Sequence, residues 1–512
     1  MGHHFVPVDR STPFLLPPSL QEWLPEDHLA RFLVEIVDQL DLTPLEMAYA
    51  GRGSKAYHPG MLLALLFYGY ATGLFSSRKL EAATYDSIAV RYICANTHPD
   101  HDTIAAFRRR FLPQLETLFT AILLLAAEMG LLKLGTVSLD GSKVKANASK
   151  HKALSWGHAE QLEARFQQEV EELLALAERI DRDEEKAQID IPEELQRRQE
   201  RLAAIRAAKA KIEARAQERY DAEQAAYQEK MHTRRAKEEA TGKKTPGPTP
   251  KPPEPGVREK DQVNLTDEES RIMPTSGGSF EQAYNAQAVV DIETQLIVAS
   301  FATQAPNDKR QVEPALERLK ALPSALGRPE HLLADNGYFS QPNVESLSEA
   351  GIEPLIALGR EAHHQVLSDL LTVPGAPADE ASPLDRMAYR LTTYEGKALY
   401  GRRKSSVEPV FGQIKRVLGF RQFMLRGFDG ICGEWTLVTM AYNLRRLFQL
   451  RGGPKGTAGS VSGGKAGGPV TDAGGLMATG GPIADRISRW GTMAARRLHR
   501  VVALRRFIPQ VA

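Results

Sequence analysis

The segment from Arg402 to Arg426 contains seven lysines or arginines and a single acid, Glu408. A helix on a solvated surface usually carries charges of both signs. A single carboxylate among seven basic residues therefore indicates a functional role for that carboxylate. A carboxylate can bind a divalent cation, and the surrounding cations can bind the phosphates of a nucleic acid. This interpretation requires partner carboxylates elsewhere in the chain.

Two aspartates are candidates for these partners. Asp140 lies in a predicted strand, Thr136 to Val144, and Asp335 directly follows a second one, His331 to Ala334. Ligand sites in open α/β sheets lie at the carboxyl ends of the strands, where a side chain is held rigidly. Both aspartates also have an ordinary interpretation, because a glycine follows each within two residues, as it does in tight turns.

The helix that carries Glu408 is predicted to begin at this residue, because Pro409 is tolerated only near a helix start. Lys415 lies seven residues after Glu408, about two helical turns, so both side chains are predicted to point the same way. A glutamate and a lysine at this spacing are also common on solvated helices. The predicted buried face of the helix contains Val407, Phe411, Ile414 and Leu418.

Together, Asp140, Asp335 and Glu408 favour two-metal phosphoryl transfer, which needs several carboxylates around two Mg²⁺ ions. Hard oxygen ligands suit Mg²⁺, for which Mn²⁺ can substitute, rather than Zn²⁺. No zinc site is expected at Cys94 and the histidines of residues 98–101, because these ligands are too few and poorly spaced.

The elements around these acids predict an α/β fold. The order strand, hairpin strands, helix, strand, helix, strand, helix predicts a ribonuclease-H-like core, a mixed sheet flanked by helices, in two parts at 131–156 and 263–451. Heptad-like apolar spacing predicts an inserted antiparallel helical hairpin at 157–240, with arms of roughly four heptads or fewer. A proline-rich linker at 241–262 follows the hairpin.

The first 130 residues are predicted to be all-helical. A basic cluster, Arg108, Arg109 and Arg110, lies on a helix for which Asp102 is the predicted N-cap. Several short helices that end in a basic cluster suit a DNA-binding domain of helix-turn-helix character. A helical bundle with a solvated arginine face explains the same pattern equally well.

Composition limits the class of protein. The 65 basic and 64 acidic residues nearly cancel, which excludes a histone-like polycation but allows local DNA-binding surfaces. Two cysteines cannot form a disulfide framework, so a reducing, cytoplasmic setting is expected. The most apolar run, Met61 to Leu74, is shorter than the roughly 20 residues of a membrane span, and no membrane partner is expected.

The carboxyl-terminal part of the chain has two further segments. A glycine-rich linker at 452–484 is predicted to be disordered. A basic amphipathic tail at 485–512 follows, and it is either a weakly ordered helix or a segment that contacts DNA or a membrane surface.

Several blocks of sequence resemble bacterial insertion-sequence DDE transposases, most closely the group numbered eleven eighty-two, which is related to groups four and five. The amino-terminal block is HPGMLLALLFYGYATGLFSSRKLEAA at 58–83. The other blocks are LDGSKVKANASKH at 139–151, TDEESRIM at 266–273, FEQAYNAQAVVD at 280–291, LLADNGYFS at 332–340 and VEPVFGQIKRVLGFRQFMLRG at 407–427. They occur in the order expected for that family, and the resemblance covers about residues 12–450.

The resemblance implies a ribonuclease-H-like enzyme that uses two Mg²⁺ ions to cleave DNA at terminal inverted repeats and to transfer the strand into target DNA. Asp140, Asp335 and Glu408 then correspond to the metal-binding catalytic acids, and Lys415 to a lysine that contacts DNA phosphate. The full set of predicted DNA-binding residues is Lys415, Arg416, Lys404, Arg403, Arg108, Arg109 and Arg110.

The chain departs from the family at two positions before the glutamate. Related transposases have a tyrosine seven residues and an arginine four residues before it, where this chain has Gly401 and Lys404. Tyr400 and Arg403 lie one place away. Their equivalence to the family residues is therefore an open question for the structure.

The resemblance also implies partners and alternatives. Both transposon ends must be held at once, so a homodimer or a larger synaptic complex is expected, with the 157–240 hairpin as a candidate interface. Two alternatives remain open: a transposase-derived DNA-binding repressor without catalysis, and another ribonuclease-H-like nuclease that acts on branched DNA.

Overall fold

The computed structural model describes residues 19–49, 56–149, 152–183, 190–245, 247–275, 278–359, 375–378 and 381–452. The predicted tail at 485–512 and all but the first residue of the predicted linker at 452–484 lie outside the described residues.

Eight α-helices make up the amino-terminal part. They are α1 Leu20–Trp23, α2 Leu29–Val37, α3 Thr43–Glu46, α4 Pro59–Thr72, α5 Ser77–Asp86, α6 Ile88–Ile93, α7 His101–Phe111 and α8 Leu115–Glu128. Their apolar residues join one continuous core with the rest of the protein. Asp100, and not the predicted Asp102, caps α7, because the Asp100 side chain accepts a hydrogen bond from the backbone N–H of Thr103 at 2.7 Å.

One continuous helical stretch, His101–Glu128, is long and apolar enough to cross a membrane by length and composition alone. The pair of α4 and α5 passes the same test only as a broken span, bent by 98°. Both stretches contribute to the core, where Leu65, Phe67 and Leu123 are fully buried. Core helices of this kind meet the same criteria without a membrane.

The second part of the chain is built on a mixed sheet. Its strands are β1 Thr136–Lys145, β4 Arg271–Pro274, β5 Phe280–Asp291, β6 Ile297–Thr303, β7 His331–Ala334 and β8 Glu353–Ile356. The strand order is β4-β5-β1-β7-β8, with β6 also paired to β5. β7 is parallel to β1 and β8, whereas β5 is antiparallel to its neighbours. The predicted mixed α/β arrangement is confirmed.

In the described residues after β4, five α-helices alternate with or follow the strands of this sheet. They are α11 Val312–Ala321, α12 Gln341–Glu349, α13 Pro383–Arg390, α14 Tyr394–Gly412 and α15 Phe428–Leu450. α13 was not predicted, and neither was the short strand β4. α15 is buried along most of its length and packs against both α4 and β6, which joins the two parts of the protein.

The inserted hairpin consists of α9, Trp156–Asp183, and α10, Ile191–Thr241. Ion pairs join its arms, including Arg198 with Glu169 at 2.8 Å and Arg206 with Glu163 at 2.9 Å. The predicted arm length was wrong for α10, because its 51 residues span about 76 Å. The charged run after Ile212 has few apolar residues, yet it is rich in strong helix formers and continues the helix.

The hairpin is fixed to the sheet domain at its base. Two short strands that were not predicted, β2 Ala153–Ser155 and β3 Gln262–Asn264, pair antiparallel where the hairpin leaves and rejoins the core. The described part of the proline-rich segment runs back beside α10, where Arg234 donates hydrogen bonds to the carbonyls of Thr245, Gly247 and Pro248.

Helix α14 corrects the predicted start of the Glu408 helix. It begins at Tyr394, fourteen residues earlier, and continues through Pro409. Proline has no N–H, so the carbonyl of Ser405 loses its helical partner. The Gln295 side chain replaces that partner with a hydrogen bond of 3.1 Å from Nε2 to the Ser405 carbonyl. A tertiary contact therefore permits a proline that would ordinarily end the helix.

A buried carboxylate joins the two parts of the protein. Glu434 of α15 is fully buried and accepts hydrogen bonds from the Tyr70 hydroxyl at 2.8 Å and from the backbone N–H groups of Met424 and Leu425, each at 2.9 Å. Arg108 donates to the Tyr70 hydroxyl at 3.0 Å and adds a positive charge to this network. Burial raises the pKa of Glu434, and these donors oppose that shift.

Replacing Glu434 tests how much this hydrogen-bond network contributes to the stability of the protein. Glu434→Ala leaves a buried hydroxyl and two backbone N–H groups without their acceptor, so we expect the free energy of unfolding to fall by about 3–5 kcal/mol. Urea denaturation followed by circular dichroism measures the change. The control is Gln449→Ala on the exposed side of the same helix, which should change stability by less than about 0.5 kcal/mol. Equal effects of the two variants would contradict the assignment.

Candidate active site

Asp140 and Asp335 lie side by side at the end of the parallel pair β1 and β7. The last paired residues are Ser138 and Leu333, and each aspartate follows two residues later. β1 continues past the end of β7, which leaves room beside Asp140 for the turn that begins at Asp335. That turn is closed by a hydrogen bond of 2.8 Å from the Gly337 N–H to the Asp335 carboxylate.

Arg403 connects Asp140 to Glu408. Its guanidinium lies 3.7 Å from a carboxylate oxygen of Asp140 and 3.7 Å from one of Glu408. Glu408 is half exposed, whereas Arg403 is only 8% exposed. The carboxyl-terminal half of α14 thus brings the predicted glutamate to the same guanidinium as Asp140.

The structure separates two neighbours that the sequence could not separate. Arg403 is buried between the carboxylates, and Lys404 is exposed to solvent. Lys404 lies four residues before Glu408, which is the spacing of the arginine in the family. Arg403, one residue earlier, is the side chain that lies between the acids. The Arg403 charge is directed toward the acids, and its contact with DNA stays a prediction.

Lys415 reaches the site from just beyond the carboxyl-terminal end of α14. After Gly412 the helix widens into a π-helical turn, Gln413–Val417, a distortion that often marks functional positions. The Lys415 ammonium donates to the Ser142 hydroxyl at 2.5 Å and to the Lys143 carbonyl at 2.7 Å, both on β1. Burial lowers the pKa of Lys415. Arg416, the next residue, is exposed.

A fourth carboxylate, Asp308, belongs to the same region, and sequence reasoning missed it. One of its oxygens accepts hydrogen bonds of 2.7 Å from the side-chain amides of Asn285 and Gln287. The Lys143 ammonium lies 3.6 Å from that oxygen. The signal in the sequence was the pair of amides on β5, two residues apart on one face of a buried strand.

Gly141 makes this arrangement possible. A side-chain carbon at Gly141 would lie 2.1 Å from the Gln287 amide nitrogen and 2.9 Å from the Asp308 carboxylate. The turn interpretation of Asp140-Gly141 is wrong, since both residues lie inside β1. The glycine instead provides the space in which Gln287 and Asp308 meet, and Gln287 accepts a hydrogen bond of 2.5 Å from the Tyr338 hydroxyl beyond the Asp335 turn.

Burial and the neighbouring acids both change the pKa of Asp140. The pKa of Asp140 is raised from 3.8 to about 6, mainly by burial and further by the charges of Asp335 and Asp308. A hydrogen bond from the Gly141 N–H and the Arg403 charge oppose that shift. Burial therefore disfavours the charged form of the Asp140 carboxylate, and the neighbouring acids add to that effect.

The predicted basic cluster on α7 does not form one surface. Arg108 is 9% exposed and donates to Tyr70 and to the Phe75 carbonyl, contacts that hold it inside the protein, and its DNA contact stays a prediction. Arg109 lines a cavity of about 950 Å³ with Arg426. Arg110 is exposed and lies over two aromatic rings, with 5.0 Å to the Tyr49 centroid.

The donor types fit a hard divalent cation, although the resting arrangement is not a closed coordination shell. Within the described ranges, no three His, Cys, Asp or Glu side chains are grouped closely enough to hold a metal ion. Arg403 instead supplies positive charge between Asp140 and Glu408. Its contacts of 3.7 Å are too long for hydrogen bonds, and its buried Nε has no hydrogen-bond partner.

Comparison with known proteins gives two matches to family models. Residues 18–110 match a transposase domain, DUF772, and residues 240–444 match a transposase DDE domain. Comparisons with curated proteins and with solved structures give no match. The second model spans Asp308, Asp335 and Glu408, and the first spans the α4 core helix.

The need for a glycine at position 141 can be tested directly. Gly141→Ala places a methyl group against Gln287 and Asp308, so these side chains must move or separate. We expect a loss of about 1–3 kcal/mol in the free energy of unfolding. Gly135→Ala, before the same strand, is the control, because nothing lies within 4 Å of the added carbon. A Gly141→Ala protein as stable as the control would show that the contact is not tight.

The raised pKa of Asp140 predicts a pH-dependent stability. The pKa of Asp140 in the folded protein, about 6, exceeds its ordinary value of 3.8. Folding therefore takes up a proton between these values, and the free energy of unfolding falls as the pH rises through them. Without metal, Asp140→Asn should exceed the parent in stability by up to about 3 kcal/mol at pH 8, and the difference should vanish near pH 4.

Thermal denaturation of both proteins in EDTA across this pH range provides the measurement. The Asp86→Asn variant, at an exposed position at the end of α5, is the control and should not show a comparable gain in stability at pH 8. A constant difference between Asp140→Asn and the parent from pH 4 to pH 8 would show that the carboxylate is not destabilised by its surroundings.

Proposed function

We propose that this chain, which carries a transposase domain and a transposase DDE domain, is an insertion-sequence DDE transposase. It would cleave DNA at transposon ends and transfer the strand into target DNA with the help of Mg²⁺. The observation that carries the proposal is the set of interactions that Asp140 makes with the other two acids. The charge of Asp335 acts on Asp140, and Arg403 lies 3.7 Å from both Asp140 and Glu408. We also assign the chain to the group numbered eleven eighty-two, on the sequence blocks quoted above.

The sheet supports a ribonuclease-H-like core. Three strands lie in the order β5-β1-β7, with β5 antiparallel and β7 parallel to the central β1. The first aspartate lies on that central strand, the second follows its parallel neighbour, and the glutamate lies on a helix packed against β1 and β5. The hairpin of α9 and α10 is inserted between the first two strands of this core.

Asp140, Asp335 and Glu408 would hold two Mg²⁺ ions, for which Mn²⁺ can substitute. Bound there, the ions would activate the attacking oxygen and stabilise the leaving oxygen at phosphorus. Oxygen ligands from carboxylates match the preference of Mg²⁺. Burial and the charges of the neighbouring acids raise the pKa of Asp140, and a bound cation would offset both effects.

The reaction proceeds in two in-line displacements at one site. Water attacks the phosphodiester at the transposon end, the P–O bond breaks, and a 3′-hydroxyl is released. That hydroxyl then attacks a phosphodiester of target DNA, forms a new P–O bond and releases a target 3′-hydroxyl. Lys415 contributes a cation beside Asp140 and would orient the phosphate, while Arg403 balances the charge of the acids.

DNA and a second copy of the chain are the proposed partners. The exposed cations Lys404, Arg416, Arg109 and Arg110 are available for DNA phosphates. A synaptic complex must hold two ends, and the hairpin of α9 and α10 extends far enough from the core to contact another copy. We place the protein in the bacterial cytoplasm, with the nucleoid.

Cleavage of an end-sequence duplex tests the function. The terminal inverted repeats are obtained by sequencing the DNA that flanks the gene, and the purified full chain is incubated with the duplex and Mg²⁺. Asp140→Ala, Asp335→Ala and Glu408→Ala should each lower the cleavage rate at least about 100-fold, because each removes a ligand worth several kcal/mol in the transition state.

Binding separates loss of chemistry from loss of the fold. Each variant should still bind the end duplex in a gel-shift assay, and Glu349→Ala, at an exposed position of α12, should cleave like the parent. Cleavage by all three acid variants at the parental rate would exclude the assignment. Binding without cleavage by the parent itself would favour a repressor, and preferred cleavage of branched DNA would favour a structure-specific nuclease.

A further inference from the structure

Lys143 lies inside the carboxylate centre, although no part of the proposed mechanism uses it. It is on β1, three residues after Asp140, and its side chain is 19% exposed. Its carbonyl oxygen accepts a hydrogen bond from Lys415. The two lysines are therefore neighbours on one side of the acids.

The Lys143 ammonium has one close acidic partner. Asp308 lies 3.6 Å away, and the charges of Asp140 and Asp335 also act on the ammonium. Burial lowers the pKa of Lys143, and the three acids oppose that shift. A lysine in this position has lost part of its hydration, which makes a further anion a favourable partner.

The orientation of Asp308 is fixed independently of Lys143. The amides of Asn285 and Gln287 hold one of its oxygens, and Gly141 leaves the space for that contact. Asn285 and Gln287 lie opposite Lys143 and Gly141 in the register of β5 and β1. Asp308 therefore presents a rigid carboxylate to the lysine, and the lysine does not need to hold it.

The simplest alternative is that Lys143 serves only as a counter-ion of Asp308. The distance of 3.6 Å between the ammonium and the carboxylate argues against this alternative, because a charge-assisted hydrogen bond is about 2.7–2.9 Å long. Asp308 already has two amide donors at 2.7 Å, so the ammonium is its third and weakest contact. A cation held so loosely beside a phosphodiester site can exchange its partner for a phosphate oxygen.

We propose that Lys143 binds a phosphate of the DNA backbone at the carboxylate centre, as a second lysine beside Lys415, and that Asp308 positions its ammonium until the DNA arrives. The inference rests on the proposed function, since it requires DNA at this site. It predicts opposite effects for the two partners of one ion pair. Loss of Lys143 weakens DNA binding, whereas loss of the Asp308 charge strengthens it.

The test measures DNA binding without cleavage. The full chain is titrated into a fluorescein-labelled end duplex in EDTA, and fluorescence anisotropy is recorded from 50 to 200 mM salt. Lys143→Met keeps the apolar stem and should weaken binding about 10-fold at low salt. The slope of log affinity against log salt should fall by about 1, as expected for one lost phosphate contact.

Three further variants make the result specific. Lys143→Arg restores the charge and should restore the slope. Asp308→Asn keeps an acceptor for the two amides, releases the lysine and should raise the affinity about threefold, in keeping with the loss of one weak ion pair. Lys320→Met, on the exposed face of α11, should bind like the parent. Melting temperatures in the same buffer show that each variant is folded.

Two outcomes would overturn the proposal. In one, folded Lys143→Met keeps the parental affinity and slope while Lys415→Met loses both. In the other, Asp308→Asn weakens binding as much as Lys143→Met, which would show that the pair acts only through the structure. Failure of the proposed function has a different signature, since the parent would then bind the duplex but not cleave it when Mg²⁺ is added.

Discussion

Carboxylates that repel one another are held together at the edge of β1 and β7, and the positions of the surrounding elements depend on this repulsion being balanced. Asp140, Asp335 and Asp308 act on one another across a partly buried space, where charges interact more strongly than in water. Such a group of acids persists only if rigid elements hold it and if cations balance it. Arg403, Lys143 and Lys415 supply the positive charge, and each comes from an element that is fixed by its own contacts.

Two residues near the site, Gly141 and Pro409, are unfavourable for the strand and the helix in which they lie. Gly141 weakens β1 as a strand but leaves room for Gln287 and Asp308. Pro409 removes a helical hydrogen bond beside Glu408, and Gln295 replaces it from the neighbouring turn. Both compensations are contacts between residues far apart in the sequence, Gly141 with Gln287 and Gln295 with Ser405.

The sequence predicted the elements better than the contacts between them. Strands β1, β5, β6, β7 and β8 follow from β-rich runs between turn residues, because local pattern decides such elements. The sequence also identified Asp140, Asp335 and Glu408 as candidate metal-binding acids. An acid at a strand end, or a single acid among basic residues, can be recognised without knowledge of the fold. It could not choose between Arg403 and Lys404, because a shift of one residue on a helix moves a side chain by about 100°. Arg108 looked like part of a basic surface for the same reason.

Asp308 shows why part of the site was beyond the reach of local patterns. It lies in a loop after β6, where an acid is ordinary, and only the fold brings it to amides on β5 and to a lysine on β1. The pairing of β5 with β1 decides this, because it places Asn285 opposite Lys143 and Gln287 opposite Gly141. A shift of this register by one residue would turn both amides to the other face of the sheet and leave Asp308 without donors. The register of one antiparallel pair therefore determines which charges surround the candidate active site.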